Sequence, residues 1–423
     1  MTTQTQNGCD QLSSGLLSVE SAQRKILDLV EPIHQTELLP INQALHRVLA
    51  QAVQSNLAIP SFDNSAMDGY AVSSQSFKNA DPSSVVRLTV VGESFAGAPY
   101  TGAPIASNEC VRIMTGAVLP NGADAVVMQE QVERDGTEAV ISGSHSSGEN
   151  VRYIGEDVKV GDEILPAGKL LRAADIGLLA AVGQTEVSVY RKLNVAFFST
   201  GDELKSIDQT LEPGQIYDSN RYLLASVLAP LQVNVNDLGV LKDDRDLIKQ
   251  TLSEASKNND VIITSGGVSV GEADFVKQVL DELGQVHFWR VAMKPGKPLA
   301  IGSLGGCTFF GLPGNPVSVF ATFYQFVLAA LYKLMGAKRS TPVTFNVRCV
   351  SDLKKAPGRT EFQRGILTRN EQGEWEVAAS GGQGSHMLKA LAGANCFILL
   401  DAENAGVKAG ELVTVQPFYG ALD

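Results

Sequence analysis

The chain has 423 residues, 44% of them hydrophobic and 19% charged, and carries a formal net charge of −12. That length exceeds one compact core, so about two to four domains are expected. The acidic balance makes the chain a poor nonspecific nucleic-acid binder, since that needs a basic footprint, and requires any anionic ligand to be met by a local cluster of Lys and Arg.

The N-terminal MTTQTQNGCDQLSSG is polar and lacks an apolar signal core, so residues 1–14 read as a disordered lead-in. Residues 19–33 place Val19, Ala22, Ile26, Leu29 and Ile33 on one side of a helix. A short helix and a strand follow over 41–54, and Pro60 introduces SFDNSAMDGYAV as a loop. From there to about residue 150 the pattern is β, with VVRLTVVGES, NECVRIMTGA, DAVVMQEQV and EAVISG between Gly, Pro and Asn turns. The helix LRAADIGLLAAVG and the strand TEVSVY come next. A β domain inserted over 58–152 lets 15–57 and 153–190 fold together as one discontinuous α/β linker domain.

Residues 191–338 alternate strands (LNVAFFST, VNVNDLGV, DVIITSG, VHFWRVAM, TFFGLP) with helices at about 219–229, 244–257, 272–283 and 315–335. This alternation predicts a doubly wound, mainly parallel α/β domain whose ligand sits beyond the carboxyl ends of the strands. Residues 311–332 lack charge, but Asn315, Pro316, Ser318, Thr322 and Gln325 mark a buried helix rather than a membrane span. Residues 339–423 return to β, as a small barrel or sandwich. The fold class is therefore multidomain α/β plus β. Cys9, Cys110, Cys307, Cys349 and Cys396 are far apart and odd in number, which suits a reducing cytoplasm and no disulfide framework. The five histidines are isolated, so no His-rich metal site is expected.

Three strand-to-loop junctions carry the chemistry. In STGDE (199–203) Gly201 permits a sharp turn that presents Glu203; the same acids would also suit a helix start. Glu272 and Asp274 close the Gly266–Gly267 turn, and Asp243–Asp244 sits in an equivalent junction, either as ligands or as the start of the next helix. Carboxylates converging without histidine suit a hard cation such as Mg2+. In HFWRVAMKPGKP, strand alternation puts Arg290 and Lys294 on one face, with Lys297 able to rejoin them after the Pro295–Gly296 turn as an oxyanion site. Asn315, with Pro316 at the first helical position, suits an N-cap that aims free N–H groups at an anion. GVSVG (267–271) matches a serine-hydrolase elbow, but His287 follows too soon to serve it. Asp63, Asp68, Thr115 and Asp157 read as turn formers, and Arg364 and Ser385 carry no signal alone.

Taken together, FDNSAMDGYAV, RIMTGA, DAVVMQE, GEDV, FSTGDEL, IYDSN, TSGGVSVGEADF, KPGKP, GLPGNPVS and GRTEFQRG, in that order from about residue 15 to the end, resemble the molybdopterin molybdenumtransferase family of MoeA and gephyrin E-domain proteins. The resemblance implies an elongated homodimer and a reaction: molybdate enters the dithiolene of adenylylated molybdopterin, and the adenylate is hydrolysed off with a divalent cation. It implies Glu203, Asp243 and Asp274 as metal ligands, and Glu203, Asp274, Asp68, Thr115 and Asp157 as catalytic, the last three coming from a partner subunit. It implies Ser269, Arg290, Lys294, Lys297, Pro313, Pro316, Arg364 and Ser385 for molybdate or the pterin phosphate. Molybdopterin adenylyltransferase and apo-molybdoenzymes are the implied upstream and downstream partners, with neither nucleic acid nor membrane involved. Two alternatives share parts of this pattern. An adenylyltransferase would carry a TGGTG-type turn in place of SGGVSVGEAD, and a scaffold would have no use for the acids and lysines.

Overall fold

A computed structural model describes residues 15–81, 83–267, 275–338 and 342–418. The first helix, Val19–Leu29, is capped by Ser18, whose hydroxyl accepts the Ser21 N–H at 3.0 Å. It stops short of the expected Ile33 because Pro32 disfavours helix in the residue before it. Thr36–Pro40 pairs antiparallel with Glu186–Tyr190, and Val53–Gln54 pairs with Glu163–Leu165, so segments on either side of the inserted region close on each other.

The inserted region holds a six-stranded sheet in the order Ala125–Met128, Gly69–Val72, Glu109–Ile113, Val85–Ser94, Glu138–Ser142, Val132–Asp135. Gly69–Val72 is a correction to the loop expected over SFDNSAMDGYAV. These four residues are buried and pair on both sides. An added Cβ at Gly69 would lie 2.0 Å from the Val127 carbonyl oxygen, so the glycine permits the close strand approach.

The central domain is a six-stranded sheet in the order Asn234–Leu241, Asn194–Thr200, Val261–Ser265, Cys307–Leu312, Pro298–Leu304, Gln285–Arg290. The first four strands are parallel. Pro298–Leu304 runs antiparallel to both neighbours. It was not among the expected strands, although Gly305–Gly306, both at positive φ, supply the hairpin turn that joins it to Cys307–Leu312. Alternating residues feed the two faces. Val195, Phe197 and Ile263 pack with helices Val19–Leu29, Ser219–Leu228 and Pro316–Thr322, while Ala196, Phe198 and Ile262 pack with Arg245–Asn258 and Phe275–Leu283. The run Pro316–Leu334 is long and apolar enough for a membrane, yet most of it is buried inside the protein, as a core helix.

In the C-terminal region Thr360–Arg369, Trp375–Ala379, Phe345–Cys349, Leu412–Pro417 and Cys396–Leu400 pair in succession. Thr360–Arg369 also pairs with Cys396–Leu400, which closes a barrel. Met293–Lys294 adds to this barrel, not to the α/β sheet, with Lys294 in register with Glu361.

Arg191 joins the linker to the α/β domain. Its guanidinium donates twice to Asp260 at 2.7 Å and once to Gln35 Oε1 at 2.6 Å, and Asp260 also accepts the Asn194 N–H at 2.7 Å. The Arg191→Ala variant is expected to lose about 1–3 kcal/mol, read as an earlier first transition in thermal or urea unfolding.

Candidate functional site

The carboxyl ends of the parallel strands open into a cleft of about 960 Å³. Thr200, Gly201 and Glu203 come from the first junction, Asp243 from the second, and Gly266 and Gly267 from the third. Lys294, Lys297, Pro313 and Pro316 form another wall, and Gln383, Ser385 and His386 of the C-terminal region close it.

Each junction departs from regular structure for a local reason. Gly201 adopts φ 148°, and an added Cβ would lie 2.5 Å from Glu203 Oε2, so this glycine lets the acid fold back over its own turn. The chain then forms a short strand, Leu204–Lys205, paired with Ile216–Tyr217. The helix start that could have explained these acids is therefore not formed. Asp244 caps Arg245–Asn258 by accepting the N–H groups of Asp246 and Leu247 at 3.0 and 2.9 Å. Asp243 instead lies beside Asp202 and Glu203, where partial burial and then these two charges raise its pKa above the ordinary carboxylate range. An acid so crowded is suited to a cation. Among the described residues no group of three His, Cys, Asp or Glu side chains could hold a metal ion. Glu203 and Asp243 are the two described acids of the expected set; Ser269, Glu272 and Asp274 lie outside the described residues.

Lys294 and Lys297 share the cleft with Glu203 and Asp243, so acids and bases meet at one edge of the sheet. Arg290 does not join them. It lines a separate pocket with Leu17, Lys25, Asp28 and Trp289. Strand alternation failed because the α/β strand ends at Arg290 and Met293–Lys294 belongs to the barrel, so the chain changes sheets between the two cations. Arg364 is also absent from the described lining. It is 1% exposed, and its guanidinium donates to the carbonyls of Gly382 and Gly384 at 2.9 and 3.1 Å. Burial pushes its pKa down to about 10, so it remains cationic at neutral pH, fixing the loop that carries Ser385 from behind. Asn315 makes no side-chain cap, and the Val317 N–H donates to the Ser385 carbonyl at 3.2 Å. One donor expected to face an anion thus ties the helix start to the C-terminal region.

Asp68, Thr115 and Asp157 are not among the described residues of this cleft. Asp68 Oδ1 accepts the Thr115 N–H at 2.8 Å and its hydroxyl at 2.7 Å. Asp157 is exposed and donates its N–H to the Ile59 carbonyl at 2.9 Å, while nearby Ile154 donates to Asp63. Sequence reasoning missed Asp218 and Asn220. Both are buried in the cleft wall with a side-chain oxygen lacking a partner, Asn220 Nδ2 donating to the Gly314 carbonyl at 2.6 Å. The start of Ser219–Leu228 at IYDSN was their signal.

Three family models match in succession: the MoeA N-terminal region (domain I and II) over residues 17–183, a probable molybdopterin binding domain over 196–333, and the MoeA C-terminal region (domain IV) over 346–418. The chain belongs to the molybdopterin molybdenumtransferase family. A Haemophilus influenzae molybdopterin molybdenumtransferase is 47% identical over 410 residues, covering 96% of this chain and 100% of that protein. One from Nostoc is 39% identical over 409 residues, covering 94% and 93%. The crystal structure of a molybdopterin biosynthesis MoeA protein from Pyrococcus horikoshii superposes with a TM-score of 0.83 at 30% identity, covering 95% of this chain and all of that one. The multidomain α/β plus β architecture is that of this enzyme family.

Hydrogen bonds from the Thr115 backbone and then its hydroxyl hold the Asp68 pKa below the ordinary carboxylate value. A depressed folded-state pKa means the contact contributes fully above the unfolded value of about 3.9 and is lost as pH falls through the folded one. The Thr115 amide resonance should stay constant from neutral pH down to about 4 and shift only below it, in a two-dimensional NMR titration.

Proposed function

We propose that this cleft receives adenylylated molybdopterin and molybdate, inserts molybdenum into the dithiolene, and releases the molybdenum cofactor with AMP. The observation that carries the reading is the meeting of Glu203 and Asp243 with Lys294 and Lys297 in one cleft of a chain belonging to this family. A tetrahedral dianion entering a protein of net charge −12 needs its own cations. Lys294 and Lys297 supply them, with Ser385 offering a hydroxyl from the C-terminal region and Ser269, Pro313 and Pro316 completing the substrate side. Arg364 acts indirectly, by fixing the loop of Ser385.

Glu203 and Asp243, with Asp274, are the residues to hold a divalent cation, taken to be Mg2+. When bound, it offsets charge on the phosphoanhydride during cleavage. Their carboxylates and the two lysines bring both signs of charge into one cleft, which suits a ligand carrying a cation-bridged phosphate and an oxyanion. In a homodimer, Asp68, Thr115 and Asp157 of the second copy complete the cleft. The cytoplasm is the compartment that suits the reaction. A molybdopterin adenylyltransferase supplies the substrate and apo-molybdoenzymes take the product.

The test supplies adenylylated molybdopterin, molybdate and Mg2+, then follows AMP release and activation of an apo-molybdoenzyme. Lys294→Ala and Lys297→Ala should each lower cofactor formation by at least about tenfold, the loss of roughly one charge-assisted hydrogen bond, with circular dichroism unchanged. Full activity in both variants would remove the oxyanion role. Glu203→Ala and Asp274→Ala should bind the adenylylated pterin but release little AMP. Normal release by either one refutes its metal role.

A further inference from the structure

Lys294 is not free in its cleft. Its ammonium group donates to Glu361 Oε1 at 3.1 Å, and the two residues are also paired in register where Met293–Lys294 joins the barrel. Glu361 is 4% exposed, and its second oxygen accepts Gln363 Nε2 at 2.9 Å. Gln363 is in turn fixed by donating to the Lys354 carbonyl at 3.0 Å. Among the described residues, the other cleft cations Lys297 and Arg359 make no ion pair with an acid. The Lys294 side chain remains 44% exposed, so it reaches the cleft while it is held from behind.

A carboxylate buried this deeply persists only when cations and donors compensate it. Lys355 and Arg364 act on this carboxylate from a distance, but the cation in direct contact with it is Lys294, which the proposed function assigns to substrate. Lys294 and Glu361 form an ion pair, so an incoming oxyanion meets a lysine whose charge is already partly countered.

We infer that Glu361 is the internal counter-charge of the oxyanion pocket: a positioning residue that sets both the reach of Lys294 and how strongly the pocket attracts anions. This rests on the reading of Lys294 as an oxyanion ligand. Its consequence is a brake on affinity. Removing the negative charge while keeping the side-chain volume should tighten anion binding, and the gain should scale with the charge of the ligand, since Coulomb energy is proportional to it. A residue that only braced the barrel would weaken binding of every anion alike when changed.

The experiment measures binding of molybdate, a tetrahedral dianion, and perrhenate, a monoanion of similar shape, to the full-length protein by calorimetry or equilibrium dialysis. In Glu361→Gln, molybdate is expected to bind about tenfold more tightly and perrhenate about threefold, a doubled logarithmic gain for the doubled charge. Unchanged or weaker molybdate binding, or equal gains for both ions, overturns the inference. Gln363→Leu gives an independent reading should the first variant fail to fold. It leaves the charge but removes the carboxylate's other hydrogen bond, so that Glu361 leans harder on Lys294, and should weaken molybdate binding by about threefold; unchanged or tighter binding counts against the inference. Lys294→Ala separates the two levels. If wild-type protein binds no molybdate, or binds it equally well after Lys294→Ala, the proposed function falls and this inference with it. If Lys294→Ala weakens binding but Glu361→Gln does not tighten it, the inference alone falls.

Discussion

The architecture of the cleft turns on one event in the chain: between Arg290 and Lys294 the backbone leaves the α/β sheet and joins the barrel. Gln285–Arg290 hydrogen-bonds to Pro298–Leu304, whereas Met293–Lys294 hydrogen-bonds to Thr360 and its neighbours. The loop Lys294–Lys297 is therefore stretched between two different sheets. Each end is held by ladder hydrogen bonds, which places both lysines without requiring the loop itself to be rigid. The Val291 N–H donating to the Lys297 carbonyl at 2.8 Å closes the loop on itself.

The same junction makes the C-terminal region part of the site. Phe362 and Phe397 of the barrel share one apolar cluster with Phe320 and Phe323 of the long helix and with the first helix, so packing is continuous across the boundary. Val317 donating to Ser385 and Arg364 gripping the carbonyls of Gly382 and Gly384 extend that continuity to the cleft wall. These contacts tie the Ser385 loop to the start of the Pro316 helix.

Much of this was legible in the sequence where a local pattern dictates local structure. The helices at about 219–229, 244–257 and 315–335 lie within a few residues of their observed positions, because start signals such as Asp244 and Pro316 and the apolar spacing are properties of short windows. Glu203, Asp243, Lys294 and Lys297 could be grouped because parallel sheets collect their loops at one edge. What escaped depended on distant residues. Gly69–Val72 is a strand because Glu109–Ile113 and Ala125–Met128 flank it, and nothing in GYAV announces those neighbours. Arg290 was grouped wrongly because alternation cannot reveal a change of sheet. The resemblance implied Arg364 as a ligand, yet its partners are carbonyls that the local sequence does not specify. Pro298–Leu304 is the exception, since the Gly305–Gly306 turn was there to be read.

The antiparallel pairing of Thr36–Pro40 with Glu186–Tyr190 bears on how the polypeptide matures during synthesis. The first of these strands leaves the ribosome before the whole inserted sheet has been made, and its described partner emerges only afterwards. Until then its edge is unpaired, a state that invites mispairing with another nascent copy. Its single proline, Pro40, and its acid, Glu37, blunt that edge during the wait.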